Sequence, residues 1–243
     1  MKHKKSSLST KQIYSELVKK SIAAALMIGL GDYILLKVGN PIGPFLFAFG
    51  LLSVCVMGAN LFTGKCGFLI EDKIKPLHLA LILLGNLVAG YLFGLMFSAA
   101  DAGIISVAQE KVASWHFDWS FFIRSILCGV IMYLAVAIYR KGSKLGILFG
   151  VPLFILCGFQ HCIANIITLG VAQTFSWTIL LCVLGNFIGS IVTWWLCGQK
   201  SWRHTQLWYV SIIATCSLPK WFRATNEIIW RKWGDFCYFG VRV

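Results

Sequence analysis

Blocks of about 20 predominantly apolar residues recur along most of this chain, and that is the length a helix needs to cross the hydrocarbon layer of a bilayer. They fall at roughly 21–38, 44–63, 77–99, 121–139, 145–169 and 175–197. Such a chain folds as an all-α integral membrane protein, because a helix satisfies its own backbone polar groups in lipid and an open strand does not. Composition agrees: 58% of the residues are hydrophobic, 13% are charged and the mean hydropathy is +0.77, whereas a soluble domain carries roughly a quarter charged residues. The chain divides into a basic N-terminus over 1–20, a six-span membrane domain over 21–198 and a basic, Trp-rich tail over 199–243.

The formal net charge of +13 raises nucleic acid as a partner, but the Lys and Arg residues sit at the ends of apolar blocks and in the termini, which is a topology signal. The N-terminus, the loop with Lys73 and Lys75, the loop with Arg140, Lys141 and Lys144, and the tail are all basic. The alternate connections carry Lys37, a mixed 99–120 loop, and an uncharged stretch from Gly170 to Trp177. The positive-inside rule then places both termini in the cytoplasm. The expected setting is the plasma (inner) membrane, with lipid as a partner and no nucleic acid. Residues 1–20 are too polar for a signal peptide, and Asp32 interrupts the apolar run that follows, so no cleavage is expected. The tail interleaves Trp202, Trp208, Trp221, Trp230 and Trp233 with Lys and Arg, as in a segment lying in the headgroup layer. A disordered cytoplasmic tail is the other reading.

Ala59-Asn60-Leu61-Phe62-Thr63 is echoed by Ala164-Asn165-Ile166-Ile167-Thr168, and Gly85-Asn86-Leu87 by Gly185-Asn186-Phe187. Two echoes in matching order indicate a duplication, with chance similarity among apolar helices as the other explanation. With three spans in each half, the halves cross in opposite senses, giving an inverted 3+3 repeat. Spans 2 and 5 contain Thr63-Gly64-Lys65-Cys66-Gly67 and Gly158-Phe159-Gln160-His161. Glycines and polar groups at membrane depth are tolerated where backbone lines a cavity, so helices 2 and 5 are expected to be broken and to line a pathway.

His161 is the only histidine in the middle of a span. An ionisable residue there is a functional candidate by default, and imidazole changes charge near neutral pH, so it can meet a weak-acid anion with a proton or a positive charge. A neutral histidine bonding a neighbouring helix is the plainer alternative. Thr63, beside Gly64, can donate into a cavity or back-bond its own helix. Asn86 and Asn186 are read first as helix cross-links. The nine cysteines are scattered and form no CxxC pair. No catalytic constellation, phosphate loop or metal-ligand set appears, so the sequence predicts no enzyme, no cofactor and no metal.

At Gly58-Ala59-Asn60-Leu61-Phe62-Thr63, at Gly158-Phe159-Gln160-His161-Cys162-Ile163-Ala164-Asn165, and at Gly85-Asn86 with Gly185-Asn186, the chain resembles the formate/nitrite transporter family, which includes hydrosulfide and lactate members. The second stretch resembles the family's GFEHSIAN-type signature, and the resemblance covers roughly residues 10–198. It implies an aquaporin-like, six-span channel protomer assembled as a homopentamer, with a pore in each protomer. By resemblance His161 is the central pore histidine, Thr63 bonds near it, and Lys111 draws anions into the outer vestibule. The implied constrictions fall on Phe47, Leu51 and Phe62 toward the cytoplasm and on Leu61, Met132 and Phe154 toward the outside. Two neighbours depart from the family pattern. Gln160 stands where a glutamate is usual, which removes a negative charge beside His161. Gly129 stands where formate channels carry a pore-lining asparagine, which removes a donor and widens the site. Both bear on which anion passes, and Asn165 belongs to the same signature.

The expected function is therefore passage of a small monovalent anion, formate or nitrite, past two hydrophobic constrictions and a central histidine. A hydrosulfide channel is the alternative within transport, suggested by the small Gly129. From another class comes a non-transporting membrane anchor or receptor acting through its C-terminal tail. A water or glycerol facilitator ranks last, since paired Asn-Pro-Ala boxes are absent.

Overall fold

The computed structural model describes residues 9–197. The expected tail 199–243 and the start of the expected N-terminal region lie outside the described residues. Regular structure among those described is helical: α1 (Thr10–Val38), α2 (Ile42–Met57), α3 (Phe62–Lys65), α4 (Pro76–Ala100), α5 (Ile105–Ala113), α6 (Trp119–Arg140), α7 (Leu145–Leu156), α8 (Cys162–Val171) and α9 (Thr178–Cys197), with 3-10 turns at Cys66–Phe68 and Ala102–Ile104.

α1 starts at Thr10 rather than near residue 21. Ser9 and Gln12 form a capping box: the Ser9 hydroxyl accepts from the Gln12 backbone N–H at 3.3 Å, and the Gln12 side-chain Oε1 accepts from the Ser9 N–H at 2.8 Å. These bonds satisfy orphan donors at the helix start, so the helix extends through the polar stretch ahead of the apolar block.

Four helices, α1, α4, α6 and α9, are long and apolar enough to cross a membrane, or five passages if α2 and the bent segment after it count as one. α2 stops at Met57, and Gly58 takes the left-handed conformation (φ 62°). The chain restarts at Phe62 with an axis bent by 56°. α7 and α8 are separated in the same way around Gly158 (φ 69°). With 12 and 10 residues respectively, at 1.5 Å per residue, each covers only about half of a 30 Å hydrocarbon layer.

The interruptions repeat one pattern at a constant offset of 100 residues (58 to 158, 62 to 162, 86 to 186). The Ala59 N–H reaches the Val54 carbonyl at 3.0 Å and the Phe159 N–H reaches that of Phe154 at 2.9 Å, closing each helix end. Asn86 Oδ1 accepts from the Phe62 N–H at 2.8 Å while its amide donates to Ser21 O (2.8 Å) and Asn60 O (3.0 Å). Asn186 Oδ1 accepts from the Cys162 N–H at 2.9 Å and donates to Ser125 O and Gln160 O, both at 2.8 Å. Each asparagine thus supplies the partners that interrupted backbone loses.

Packing follows membrane logic. α1 lies on α2 and α4, α6 on α7 and α9, and α4 on α8. Lipid gives helices no hydrophobic reason to associate, so close approach through small residues takes that role. A Cβ on Gly170 would stand 2.3 Å from Tyr91 O, and one on Gly189 2.0 Å from Ile126 O, so these backbones touch. Large apolar side chains such as Phe49, Leu92 and Trp195 face outward, while Ser21, Asn86, Ser125, Asn186 and Ser190 are fully buried.

Candidate functional site

His161 is the N-cap of α8. Its Nδ1 accepts from the Ala164 N–H at 3.1 Å. With Nδ1 engaged as an acceptor, the ring carries its proton on Nε2, which lies 2.8 Å from the Thr63 hydroxyl oxygen; the bonding pattern assigns the neutral tautomer. Thr63 sits in the first turn of α3, so the starts of α3 and α8 meet through this contact. Both residues are buried, and the His161 ring stacks on Phe154 with centroids 5.7 Å apart.

Two cavities with no lining residue in common lie nearby, one reaching His161 and the other reaching Leu61 and Gly64 beside Thr63 in the chain. The wider, about 350 Å³, runs from His161 to the C-terminal end of α1 and includes Asp32, Phe47, Lys111, Arg124, Phe154 and Gln160 in its wall. The narrower, about 160 Å³, lies against the C-terminal end of α6 and is lined by Leu51, Leu61, Gly64, Lys65 and Arg140 among others. The expected constriction residues are all buried, yet the cavities sort them differently from the sequence grouping. Phe47, grouped with Leu51, shares the wider cavity with Phe154 and meets it edge-on at 6.2 Å. Leu61, grouped with Phe154, shares the narrower cavity with Leu51. Phe62 lines a separate apolar groove between α4 and α9, and Met132 lines neither cavity. The cause is the sharp turn between α2 and α3, which sends the neighbours Leu61 and Phe62 in different directions.

Lys111 projects from α5 with a third of its side chain exposed, and its Nζ lies 3.4 Å from Thr168 Oγ1 and 3.6 Å from Asp32 Oδ1. The Thr168 hydroxyl donates to Asp32 Oδ2 at 2.8 Å. Lys111 is therefore part of an α1–α5–α8 cluster. Asp32, fully buried in α1, is the site residue that sequence reasoning passed over. The signal was present, since an acid inside an apolar block is a functional candidate for the same reason as His161.

Gln160 and Asn165 are tied together, the Asn165 amide donating to Gln160 Oε1 at 2.9 Å and Gln160 Nε2 donating to Gly158 O at 3.0 Å. Gly129 does not border either cavity. It faces α9, where an added Cβ would fall 2.3 Å from Asn186 O, and its carbonyl accepts from Ser190 Oγ at 3.0 Å. A small residue there serves helix contact. Among the described residues no group of three or more His, Cys, Asp or Glu could hold a metal.

A model of the formate/nitrite transporter family matches residues 3–198. The chain is 32% identical over 174 residues to the uncharacterized transporter YrhG of Bacillus subtilis (strain 168), spanning 62% of this chain and 63% of that one. It is 26% identical over 147 residues to the formate channel FocA of Haemophilus influenzae, spanning 51% of each. The matches thus extend over about half to two thirds of the length of these curated relatives. Two solved structures share the fold: an FNT family ion channel (TM-score 0.62, 22% identity, covering 82% of this chain and 92% of that one) and a pentameric formate channel with formate bound (TM-score 0.62, 18% identity, covering 85% and 100%).

Proposed function

As the chain belongs to the formate/nitrite transporter family, a multi-pass membrane family of channels and transporters, we propose that it passes a small monovalent anion, formate or nitrite, across the plasma (inner) membrane. The carrying observation is the Thr63–His161 contact, buried where two short helices begin, with one cavity reaching His161 and a separate one reaching Leu61 and Gly64 beside Thr63. In this reading α1, α2 with α3, α4, α6, α7 with α8, and α9 are six passages in two triplets of opposite sense. The matching asparagine brackets support it. Both termini face the cytoplasm, as the basic connections suggest. The wider cavity then opens outward and the narrower one inward. The assembly is a homopentamer, by analogy with the pentameric formate channel of similar fold.

An anion entering the wider cavity meets Lys111 and Arg124 first. Phe47, Phe154, Leu51 and Leu61 narrow the path and exclude water, and a bare anion in such a slit is costly. His161 and Thr63 offset that cost. Thr63 accepts from the His161 ring and keeps its own hydroxyl hydrogen to donate to the anion. Once His161 takes up a second proton from water at Nδ1, releasing the Ala164 N–H, the imidazolium either hands a proton to the anion and returns to the neutral ring, so that a neutral acid crosses, or stabilises the anion electrostatically. The test is proteoliposome flux of formate, nitrite and hydrosulfide at two pH values, for wild type and His161→Ala. Flux that favours formate or nitrite and loses its pH dependence in the variant supports the reading. An unaltered pH profile removes His161 from the mechanism, and preference for hydrosulfide replaces the substrate. Absence of flux for all three returns weight to an anchor or receptor role for the tail.

A further inference from the structure

Asp32 differs from every other buried polar residue described. Its Oδ1 is the one buried side-chain oxygen or nitrogen among the described residues that lacks a hydrogen-bond partner. The other oxygen accepts from Thr168, and Lys111 stops 3.6 Å from Oδ1. A charge-assisted N–H···O bond closes at roughly 2.7–2.9 Å, so this ion pair stands open. Taking a carboxylate out of water is costly, and buried carboxylates are normally satisfied at both oxygens. An open pair is poorly suited to stabilising helix packing. It sits on the wall of the wider cavity with Lys111, Arg124 and His161, where an anion drawn to Lys111 finds a carboxylate already opposite the ammonium.

We propose that Asp32 is a tethered counter-anion that exchanges with the transported anion for Lys111, and so sets how tightly the wider cavity holds what enters it. This rests on the transport reading above and adds a residue to it. The direction follows from charge. With the carboxylate present, the ammonium is partly neutralised and a visiting anion is repelled soon after it arrives. Without it, Lys111 and Arg124 leave the cavity cationic, and an anion binds more tightly and leaves more slowly. Conduction needs binding strong enough for entry and weak enough for exit, and an internal competitor supplies the second condition. The remaining charges at the C-terminal end of α1 are engaged with each other: Lys37 donates to Asp101 Oδ2 at 2.7 Å, and Tyr33 donates to the same oxygen at 3.1 Å.

The experiment uses the full-length protein in two formats, the concentration dependence of formate and nitrite flux in proteoliposomes and a nitrite titration of purified protein followed by its thermal midpoint. Asp32→Asn is expected to lower the half-saturating concentration about tenfold and to reduce maximal flux, because release slows. Gln160→Glu added to it returns a carboxylate to the same cavity and is expected to move both quantities back toward wild type. Thr168→Val frees the carboxylate to close on Lys111 and is expected to raise the half-saturating concentration; it keeps the test decisive should Asp32→Asn fail to fold. A purely structural role predicts a lower thermal midpoint with half-saturation unchanged or raised in Asp32→Asn and no rescue by Gln160→Glu, and that result overturns the proposal. If wild type carries none of the anions but the titration still tightens in Asp32→Asn, the transport reading fails and the exchange stands. Normal flux with unchanged half-saturation in both Asp32→Asn and Thr168→Val fails the exchange alone.

Discussion

At the first helix interruption Gly58 turns the chain, Leu61 stands at the N-cap of α3, and Asn86 holds the Phe62 N–H; at the second, Gly158, His161, Asn186 and the Cys162 N–H occupy the same places. The hydrogen bonds of the frame match to within a few tenths of an ångström, and the residues they present do not. An apolar leucine precedes α3 where a histidine caps α8, and Thr63 of the first half corresponds to Ile163 of the second. The frame therefore holds whatever stands at the cap position. In the proposed reading the chemistry comes from the mismatch, because one polar group beside each interruption meets the other at 2.8 Å.

The most forceful way to break this equivalence is to remove the brackets. Asn86→Ala and Asn186→Ala each remove three side-chain hydrogen bonds, all buried but the part-buried one to Asn60, at a cost of about 3–5 kcal/mol. Chemical unfolding in detergent should give equal losses within about 1 kcal/mol; a bracket that costs nothing would mean its half is held by other contacts. Next, Leu61→Ala is expected to cost about 2–3 kcal/mol through lost burial and to leave the pH profile of flux as it was. His161→Ala loses a cap worth about 1 kcal/mol yet flattens that profile. Comparing flux from pH 5 to 8 in the two variants separates frame from chemistry, and a pH effect from Leu61→Ala would contradict the distinction. Gly58→Ala and Gly158→Ala find nothing within 4 Å of the new Cβ. Each should therefore cost only the left-handed conformation, about 1–2 kcal/mol, seen as matching shifts in thermal midpoint.

The smallest effects belong to the helix rims, where each half ends its first helix on a cation paired with an acid. Arg140 pairs with Asp72, and Lys37 with Asp101. Asp72→Asn should cost less than about 1 kcal/mol. The Asp101 carboxyl is held below the ordinary carboxylate range by the Lys37 ammonium that donates to it. A depressed carboxyl stabilises the fold above its unfolded value of about 3.9 and loses that contribution as pH falls through the lower folded value. The difference in thermal midpoint between wild type and Asp101→Asn should accordingly stay constant from pH 5 to 8; a difference that grew across that window would show Asp101 titrating there.

Much of the frame was legible in the sequence. Apolar block length marked α1, α4, α6 and α9, and the Gly85-Asn86 and Gly185-Asn186 echo marked the residues that bracket each interruption, whereas the Ala59–Thr63 and Ala164–Thr168 echo is five residues out of step, since Asn60 stands opposite Gln160 in the two brackets. The Gly58 and Gly158 stretches lay where the helices do stop. Less legible were features set by direction in space. Leu61 and Phe62 are neighbours in the chain, but the turn between α2 and α3 sends one to the narrower cavity and the other to the α4–α9 groove. Gly129 reads in sequence as a gap in a pore and in space as a contact with α9. The Asp32–Lys111–Thr168 cluster joins three elements far apart in the chain. Nothing in local periodicity announces such a meeting, although the acid in an apolar block announced that something would meet it.

The glycine contacts carry one more consequence. Where Gly170 lies against Tyr91 and Gly189 against Ile126, helices rest backbone on backbone with no side chain between to act as a bearing. Sliding either pair along its neighbour would drive Cβ atoms of adjacent residues into carbonyl oxygens. Under the transport reading proposed above, motion along the path is left to side chains such as Phe47, Phe154 and the Lys111 stem, since side-chain rotations are fast beside the rocking of whole helices. Such a conduit would work as a fixed frame with swinging doors.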